Sequence, residues 1–243
     1  LGNDRARFSH DLTAEKDVEQ VTHLSEANED ALIAIMRDQL YVAVVSDVLD
    51  SLGANNQAMT ADIRPIAPNM RVLGRAHTIL TTDVYERPDD PYDLEIESVD
   101  SLRPGDVFIA QTNSVRTCIW GELLSTAATV RGATGAIIDG HSRDALKIID
   151  MGFPTFCTGF RPVDSSYRSQ VVGIKVPIIV GGVQVHPGDI VFGDFDGIIV
   201  VPKAMLAEVV EASVAKVQGE NHSRSMLLEG HTLRDVYNKF GVL

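Results

Sequence analysis

Helix-like and strand-like stretches mix along the whole chain, which predicts a mixed α/β fold, of α/β or α+β class. Two stretches carry that assignment. At the centre, Glu122 to Arg131 combines helix formers with a Leu/Ala face at three-to-four spacing, and Gly132 and Gly135 part it from the apolar run Ala136-Ile137-Ile138. Glycine accepts the left-handed conformation that stops a helix, and a short apolar run is what a strand covered on both faces shows. Further on, Val171 to Val201 alternates apolar runs with turn signals at His186-Pro187-Gly188-Asp189 and Asp194-Phe195-Asp196-Gly197, the pattern of antiparallel hairpins.

Taken in order, residues 1–27 are charged and weakly patterned and are expected to form a polar arm, frayed or touching a partner. Residues 28–243 are expected to form one domain with helices at both of its ends. Asn28 caps a helix over Glu29–Gln39, and Ser46 to Gly53 reads as a second, capped by Ser46. Arg71 to Thr81 is a strand candidate, and the polar, proline-containing stretch Tyr85 to Asp93 a surface loop. A short helix from Glu95 to Ser101, a turn at Arg103-Pro104-Gly105-Asp106 and a strand over Val107–Ala110 lead into the central unit. Beyond Ile138, Asp139 is expected to end the strand and Gly140 to allow a tight exit. Ala145 to Met151 forms a helix stopped by Gly152, and Thr155 to Thr158 a strand. Strands follow over Ile174–Val180, Val183–Val185, Ile190–Phe192 and Ile198–Val201. A helix runs from about Ala204 to Gln218, and Thr232-Leu233-Arg234-Asp235 resembles a capping box that starts a last one.

The chain has 243 residues, 44% hydrophobic and 23% charged, which describes an ordinary globular protein. Its net charge of −13 argues against nucleic acid and against an anionic membrane surface as partners, because both need clustered Lys and Arg. No apolar run has the length of a membrane span. The polar start shows no signal peptide, so a cytoplasmic location is expected. Cys118 and Cys157 form no Cys-x-x-Cys pattern and read as small buried hydrophobes. There is no nucleophile elbow, Walker lysine motif or dinucleotide loop.

Chemistry is expected where the central unit ends. Ligands collect beyond the carboxyl ends of strands in open α/β layouts, and a helix N-terminus at Gly121-Glu122 offers backbone N–H groups to an anion. Asp144 is a hard donor suited to Mg²⁺, which often takes one or two protein carboxylates and keeps several waters. Glu122 can hold such waters. Arg143 supplies a permanent cationic fork for a carboxylate or a developing oxyanion. Of the histidines, His141 alone lies near this set.

Trp120-Gly121-Glu122-Leu123-Leu124, Arg131-Gly132 with Gly135, Ile138-Asp139-Gly140 and Arg143-Asp144 closely resemble the RraA-like (regulator of ribonuclease activity A-like) family. The likeness continues through Met151-Gly152-Phe153-Pro154, Gly181-Gly182-Val183, Pro187-Gly188-Asp189, Gly193-Asp194 and Asp196-Gly197. Within the family it is nearest to the class II pyruvate aldolases acting on 4-hydroxy-4-methyl-2-oxoglutarate and 4-carboxy-4-hydroxy-2-oxoadipate. The aldolase pattern is an acid, twenty residues, then Arg-Asp, and Glu122, Arg143 and Asp144 fill it with Glu as the acid. The resemblance implies a β/β/α sandwich-like domain assembled as a homotrimer or hexamer. It implies backbone N–H groups of Gly121, Glu122, Leu123 and Leu124 binding a pyruvyl group, Arg143 on the oxygens of a small 2-oxo acid, and Asp144 binding Mg²⁺ or Mn²⁺. Arg143 and Glu122 would then be catalytic, with water held by Glu122 as the proton carrier, and oxaloacetate decarboxylation would need no extra parts. Lys147 stands where an acid is common, and Gln111-Thr112-Asn113-Ser114 replaces a glycine-rich loop. The competing expectation is a non-catalytic, protein-binding regulator of a ribonuclease.

Overall fold

The structure is a computed structural model that describes residues 28–112 and 114–241. The expected arm, residues 1–27, and Asn113 lie outside the described residues.

Helix α1 (Glu29–Gln39) is capped as expected, Asn28 accepting from the Ala31 N–H at 2.9 Å. Helix α2 spans Val42–Ser51, so Ser46 lies inside it and is not its cap. Three valines among its first four residues are weak helix formers, but the helix buries Val42, Val44, Val45, Val48 and Leu49, and that burial overrides propensity. Strands β1 (Arg64–Pro65) and β2 (Val72–Asp83) precede helix α3 (Asp93–Asp100), strand β3 (Asp106–Gln111) and the three-residue strand β4 (Cys118–Trp120). Helix α4 (Glu122–Val130) leads to strand β5 (Gly135–Ser142), helix α5 (Ala145–Met151) and strand β6 (Thr155–Phe160). Gly152 ends α5 with φ of +73°, the conformation for which glycine was expected there. Strands β7 (Ser169–Ile174), β8 (Ile178–Val180), β9 (Val183–Val185), β10 (Ile190–Gly193) and β11 (Ile198–Val201) follow, then helices α6 (Leu206–Leu228) and α7 (Leu233–Phe240).

Two expectations change. The run Ile174–Val180 is not one strand: Lys175 takes φ of +55° and Pro177 has no N–H to donate, so β7 stops and β8 begins anew. Strand β5 runs past Asp139 and Gly140 to Ser142, because β4 and the far end of β6 supply partners for its second half, Cys118 opposite His141 and Phe160 opposite Ser142.

The chain forms two compact units. In the unit over residues 41–203, nine strands among the described residues join in one mixed sheet with the path β1-β6-β5-β3-β2-β10-β11, β4 adding to β5 and β7 to β2. Strands β2, β3, β5 and β6 run parallel, and β10, β11 and β7 are antiparallel additions. Side chains alternate between two apolar clusters, as strand geometry requires. Val107, Ile109, Ile137 and Phe156 pack with Ile178, Val180, Val183 and Val185 of the separate β8–β9 hairpin. Phe108, Ala110, Ala136, Ile138 and Cys157 face the other way, onto Val99 of α3, Ala128 of α4 and Ile148 of α5. The layering is therefore hairpin, sheet, helices: the β/β/α sandwich implied by the sequence.

In the other unit, α1 and α7 both pack on α6, burying Leu32, Ile33 and Met36 of α1 and Val236 of α7. Helix α7 begins with the expected cap, Thr232 Oγ1 accepting from the Asp235 N–H at 3.2 Å. Helix α6 continues ten residues beyond Gln218, through Gly219.

Phe156 lies opposite Ile137 in the parallel ladder and is fully buried. Phe156→Ala is expected to cost about 3–5 kcal/mol of unfolding free energy, read from urea denaturation.

Candidate active site

Strands β4, β5 and β6 run parallel and finish together, and each delivers part of one site. Past β4 comes Gly121 and the first turn of α4; past β5 come Arg143 and Asp144; past β6 comes the loop carrying Asp164 and Ser165. The backbone locks the middle segment, since the Arg143 N–H donates to the Trp120 carbonyl at 3.0 Å and the Arg161 N–H to the Ser142 carbonyl at 3.1 Å. Trp120 itself is buried, with its ring 4.5 Å from that of Phe108.

Asp144 occupies the left-handed region, φ 59° and ψ 27°, at the cap position of α5, but its side chain makes no hydrogen bond to that helix. Aspartate tolerates this conformation better than most residues. Its Oδ2 instead accepts from the Glu122 N–H at 3.3 Å, at the N-terminus of α4 where an anion is favoured. Gly121 is extended, so its backbone would suit any residue, but a Cβ there would lie 2.9 Å from Asp144 Oδ2 and 3.2 Å from Arg143 Cγ. Glycine is required at 121 by space, not by φ.

The Arg143 guanidinium sits between two carboxylates, Nη1 at 3.0 Å from Asp164 Oδ2 and Nε at 3.9 Å from Asp144 Oδ2. Asp164 is fixed in turn: its Oδ1 accepts from the Tyr92 hydroxyl at 2.6 Å and from the Ser166 N–H at 2.9 Å. Burial alone would raise the Asp164 pKa, but the Tyr92 and Ser166 hydrogen bonds and the Arg143 charge hold it down to about 2. The same contact with Asp164 raises the Tyr92 phenol. Glu95, one turn after Tyr92, accepts from Ser165 Oγ at 2.9 Å through Oε2. Burial pushes its pKa up to about 7, with the Asp164 charge adding to the rise while Ser165 and Arg143 oppose it.

A cavity of about 290 Å³ opens among these groups, its wall including Glu95, Trp120, Gly121, Glu122, Arg143 and Asp164. A second, of about 490 Å³, shares Arg143 and Asp144 and adds Phe160, Arg161 and Pro162. The six residues expected to bind substrate or metal all reach the first cavity: Gly121, Glu122, Leu123, Leu124, Arg143 and Asp144. The Glu122 N–H already has Asp144 as acceptor, and the Glu122 carboxylate turns along its own helix to accept from Thr126 Oγ1 at 3.1 Å. His141 lines neither cavity; burial lowers its pKa, and its Nδ1 is buried with no partner among the described residues. Burial raises both thiols, Cys157 to about 11, which makes them poor nucleophiles. Tyr92, Glu95, Asp164 and Ser165 were missed in the sequence, where a helical Glu and an Asp-Ser loop carry no spacing that separates them from surface groups.

Four carboxyl groups and one guanidinium line the first cavity, a surplus of negative charge that would repel an anionic ligand. Among the described residues no group of three or more His, Cys, Asp or Glu is gathered for a metal. An ion held here would rest on Asp144 and keep most of its waters, which suits Mg²⁺ or Mn²⁺ and an oxygen donor.

Together these features define a mixed-sheet domain with an arginine–carboxylate site at the carboxyl ends of parallel strands. Residues 42–200 match the RraA-like family, described as aldolase/RraA, and the chain belongs to that family. The DlpA protein of Legionella pneumophila subsp. pneumophila is 29% identical over 192 residues, covering 79% of this chain and 31% of that protein, so the chain spans about a third of that relative. A protein of Halalkalibacterium halodurans, provisionally named a 4-hydroxy-4-methyl-2-oxoglutarate aldolase, is 29% identical over 78% of this chain and 85% of its own length. Streptomyces coelicolor RraAS2, described as an unusual member of the RNase ES inhibitor RraA protein family, superposes with a TM-score of 0.73 at 28% identity, covering 81% of this chain and 97% of that one.

Asp164 ionises at about 2 in the fold against an ordinary value of 3.8, so it stabilises the fold above that ordinary value and the contribution is lost as pH falls towards 2. Asp164→Asn is therefore expected to lower the urea midpoint at pH 6, with the gap to the parent closing as pH drops below about 4.

Proposed function

We propose that this protein is a divalent-metal-dependent aldolase that cleaves a 4-hydroxy-2-oxo acid to pyruvate and a second carbonyl product, and that it also decarboxylates oxaloacetate. The observation that carries the reading is the meeting of Arg143, Asp144 and the first turn of α4 at one cavity. The aldolase name of a relative at 29% identity supports it.

Asp144 would hold the ion, which when bound supplies Lewis-acid polarisation of the 2-keto oxygen. Arg143 spends one N–H on Asp164 and has others to give the substrate carboxylate and the enolate oxygen as charge grows there. First-turn N–H groups of α4 at Leu123 and Leu124 have no acceptor within the helix and would bind the pyruvyl carboxylate. Glu122, at the cavity wall, would orient water. Leu123 and Phe160 are large apolar side chains exposed at the two cavities, which supports self-assembly, as the homotrimer or hexamer of this reading. The net charge of −13 supports a small-molecule substrate over nucleic acid. No helix of the described residues is long and apolar enough to cross a membrane, and a cytoplasmic place belongs to the same reading.

The likeness to RraAS2 favours one competing reading, a non-catalytic oligomer that regulates a ribonuclease. Capture of an RNA-degrading enzyme, with no pyruvate from any 2-oxo acid, would establish it instead.

The deciding assay is pyruvate release from a panel of 4-hydroxy-2-oxo acids and oxaloacetate, with added Mg²⁺ and with EDTA. Release in Mg²⁺ that EDTA abolishes is expected, and undiminished release in EDTA would remove the metal. Arg143→Lys keeps the charge but loses the fork, and kcat is expected to fall at least about tenfold, or about 1.4 kcal/mol. Asp144→Ala is expected to abolish the Mg²⁺-dependent rate.

A further inference from the structure

We propose that Glu95 is the proton carrier of this site, taking the proton of the substrate's C4 hydroxyl and returning it to C3 of the pyruvate enolate. The inference rests on the aldolase reading and deepens it, moving the proton from water held by Glu122 to a side chain of α3.

Four carboxyl groups line the cavity, and their hydrogen bonds separate them. Asp164 has both oxygens engaged, Oδ1 by Tyr92 and Ser166 and Oδ2 by Arg143. Asp144 has Oδ2 on the Glu122 N–H and is the oxygen donor assigned to the ion. Glu122 accepts from Thr126 on the outer turn of its own helix. Glu95 accepts one hydrogen bond, from Ser165 to Oε2, and among the described residues Oε1 takes none. It therefore keeps an oxygen without a donor, on a side chain that lines the same cavity as Arg143.

The surroundings of Glu95 suit transfer in both directions. The charged groups that act on it are Asp164, which favours its neutral form, and Arg143, which favours the ionised one. Of the elements packed on α3, β7 carries no ionisable side chain and α4 brings Glu122 to the cavity. With burial dominant, the group ionises at about 7, so acid and base forms are both present near neutrality.

The step balances without a further reactant. Glu95 as carboxylate removes the C4 hydroxyl proton; the O–H electrons form the C4 carbonyl while the C3–C4 bond breaks. That bond's pair becomes the C2–C3 double bond of the enolate, with charge on the C2 oxygen beside Arg143. The carbonyl product leaves, and Glu95 gives the same proton to C3, restoring its carboxylate and completing pyruvate. Run backwards, the second half removes a proton from the methyl group of pyruvate.

That half-reaction supplies the test. Parent and Glu95→Gln are incubated with pyruvate and Mg²⁺ in D₂O, and loss of the methyl proton signal is followed by NMR. Glutamine preserves the size and the bond from Ser165. Exchange is expected to fall at least about a hundredfold, in the range that a positioned acid–base group contributes. Cleavage should show reduced kcat with little change in KM, and the pH profile should lose its inflection near neutrality. Parent-like exchange in Glu95→Gln, or a retained inflection, overturns the proposal while leaving the aldolase intact. A parent that neither exchanges nor releases pyruvate overturns the aldolase reading and the proton role with it.

A second readout needs no turnover. Glu95 ionises at about 7 in the fold and at an ordinary 4.5 when unfolded, so the fold holds the proton more tightly and stability falls as pH rises across that interval. Urea midpoints of the parent should therefore drop relative to Glu95→Gln as pH rises from about 5 to about 8, with most of the drop below about 7. A difference that does not change with pH overturns the proposal.

Discussion

The backbone hydrogen bond from Arg143 to Trp120 sets the position of everything else in the site. It extends the β4–β5 pairing by one residue, so the arginine leaves the sheet at a fixed point instead of on a free loop. From there the guanidinium reaches Asp164 on one side and Asp144 on the other. The same fixed exit brings Asp144 against Gly121, where any side chain larger than hydrogen would push it away. Space at one glycine and one ladder bond thus hold a cation, a carboxylate and a helix N-terminus within a single cavity.

Electrostatics limits what such a site can accept. The helix N-terminus and one arginine are its positive groups, and four carboxyls stand against them. One N–H of the helix end, that of Glu122, is already used by Asp144. A dianionic 2-oxo acid entering this cavity would meet repulsion from Asp144 and Asp164 that Arg143 alone does not offset. In the proposed reading an ion on Asp144 would reverse the sign of that local field, and a neutral Glu95 would reduce the repulsion further. The acid-rich composition of the chain becomes, within this cavity, a constraint on what can bind.

Much of the architecture was legible because it follows from local rules. Gly152 stops α5, Asn28 and Thr232 cap helices, and the turns before β10 and β11 fall on their Pro, Gly and Asp residues. What escaped depended on distant partners. Strand β4 is three residues long and has no periodicity to show; it exists because β5 passes beside it. Asp139 and Gly140 look like a strand end, yet β5 carries on through them because β4 and β6 continue pairing. Helix α2 starts at Val42, four residues before the Ser46 cap that the sequence offered, within a valine run of weak helix propensity. In the site, Glu122, Arg143 and Asp144 were visible through a spacing, whereas Tyr92, Glu95, Asp164 and Ser165 come from a helix and a loop far apart in sequence. A glutamate on a short helix normally faces water, and nothing within α3 says that this one lies under the loop after β6.

Two of those unseen carboxyls show how neighbouring groups acquire opposite properties. Asp164 and Glu95 share a cavity, a nearby arginine and burial that disfavours charge. Asp164 accepts from Tyr92, from Ser166 and from Arg143, and three donors outweigh the loss of water. Glu95 accepts from Ser165 alone, and one donor does not. The first is therefore a permanent anion whose work is to hold Arg143 still. The second sits near the midpoint between acid and base, and the charge of the first helps to keep it there. Separation of two carboxyl groups by environment in this way is how a single site obtains both a fixed charge and a mobile proton. Both halves of that arrangement meet at Asp164, which Tyr92 holds towards the arginine and whose charge acts on Glu95.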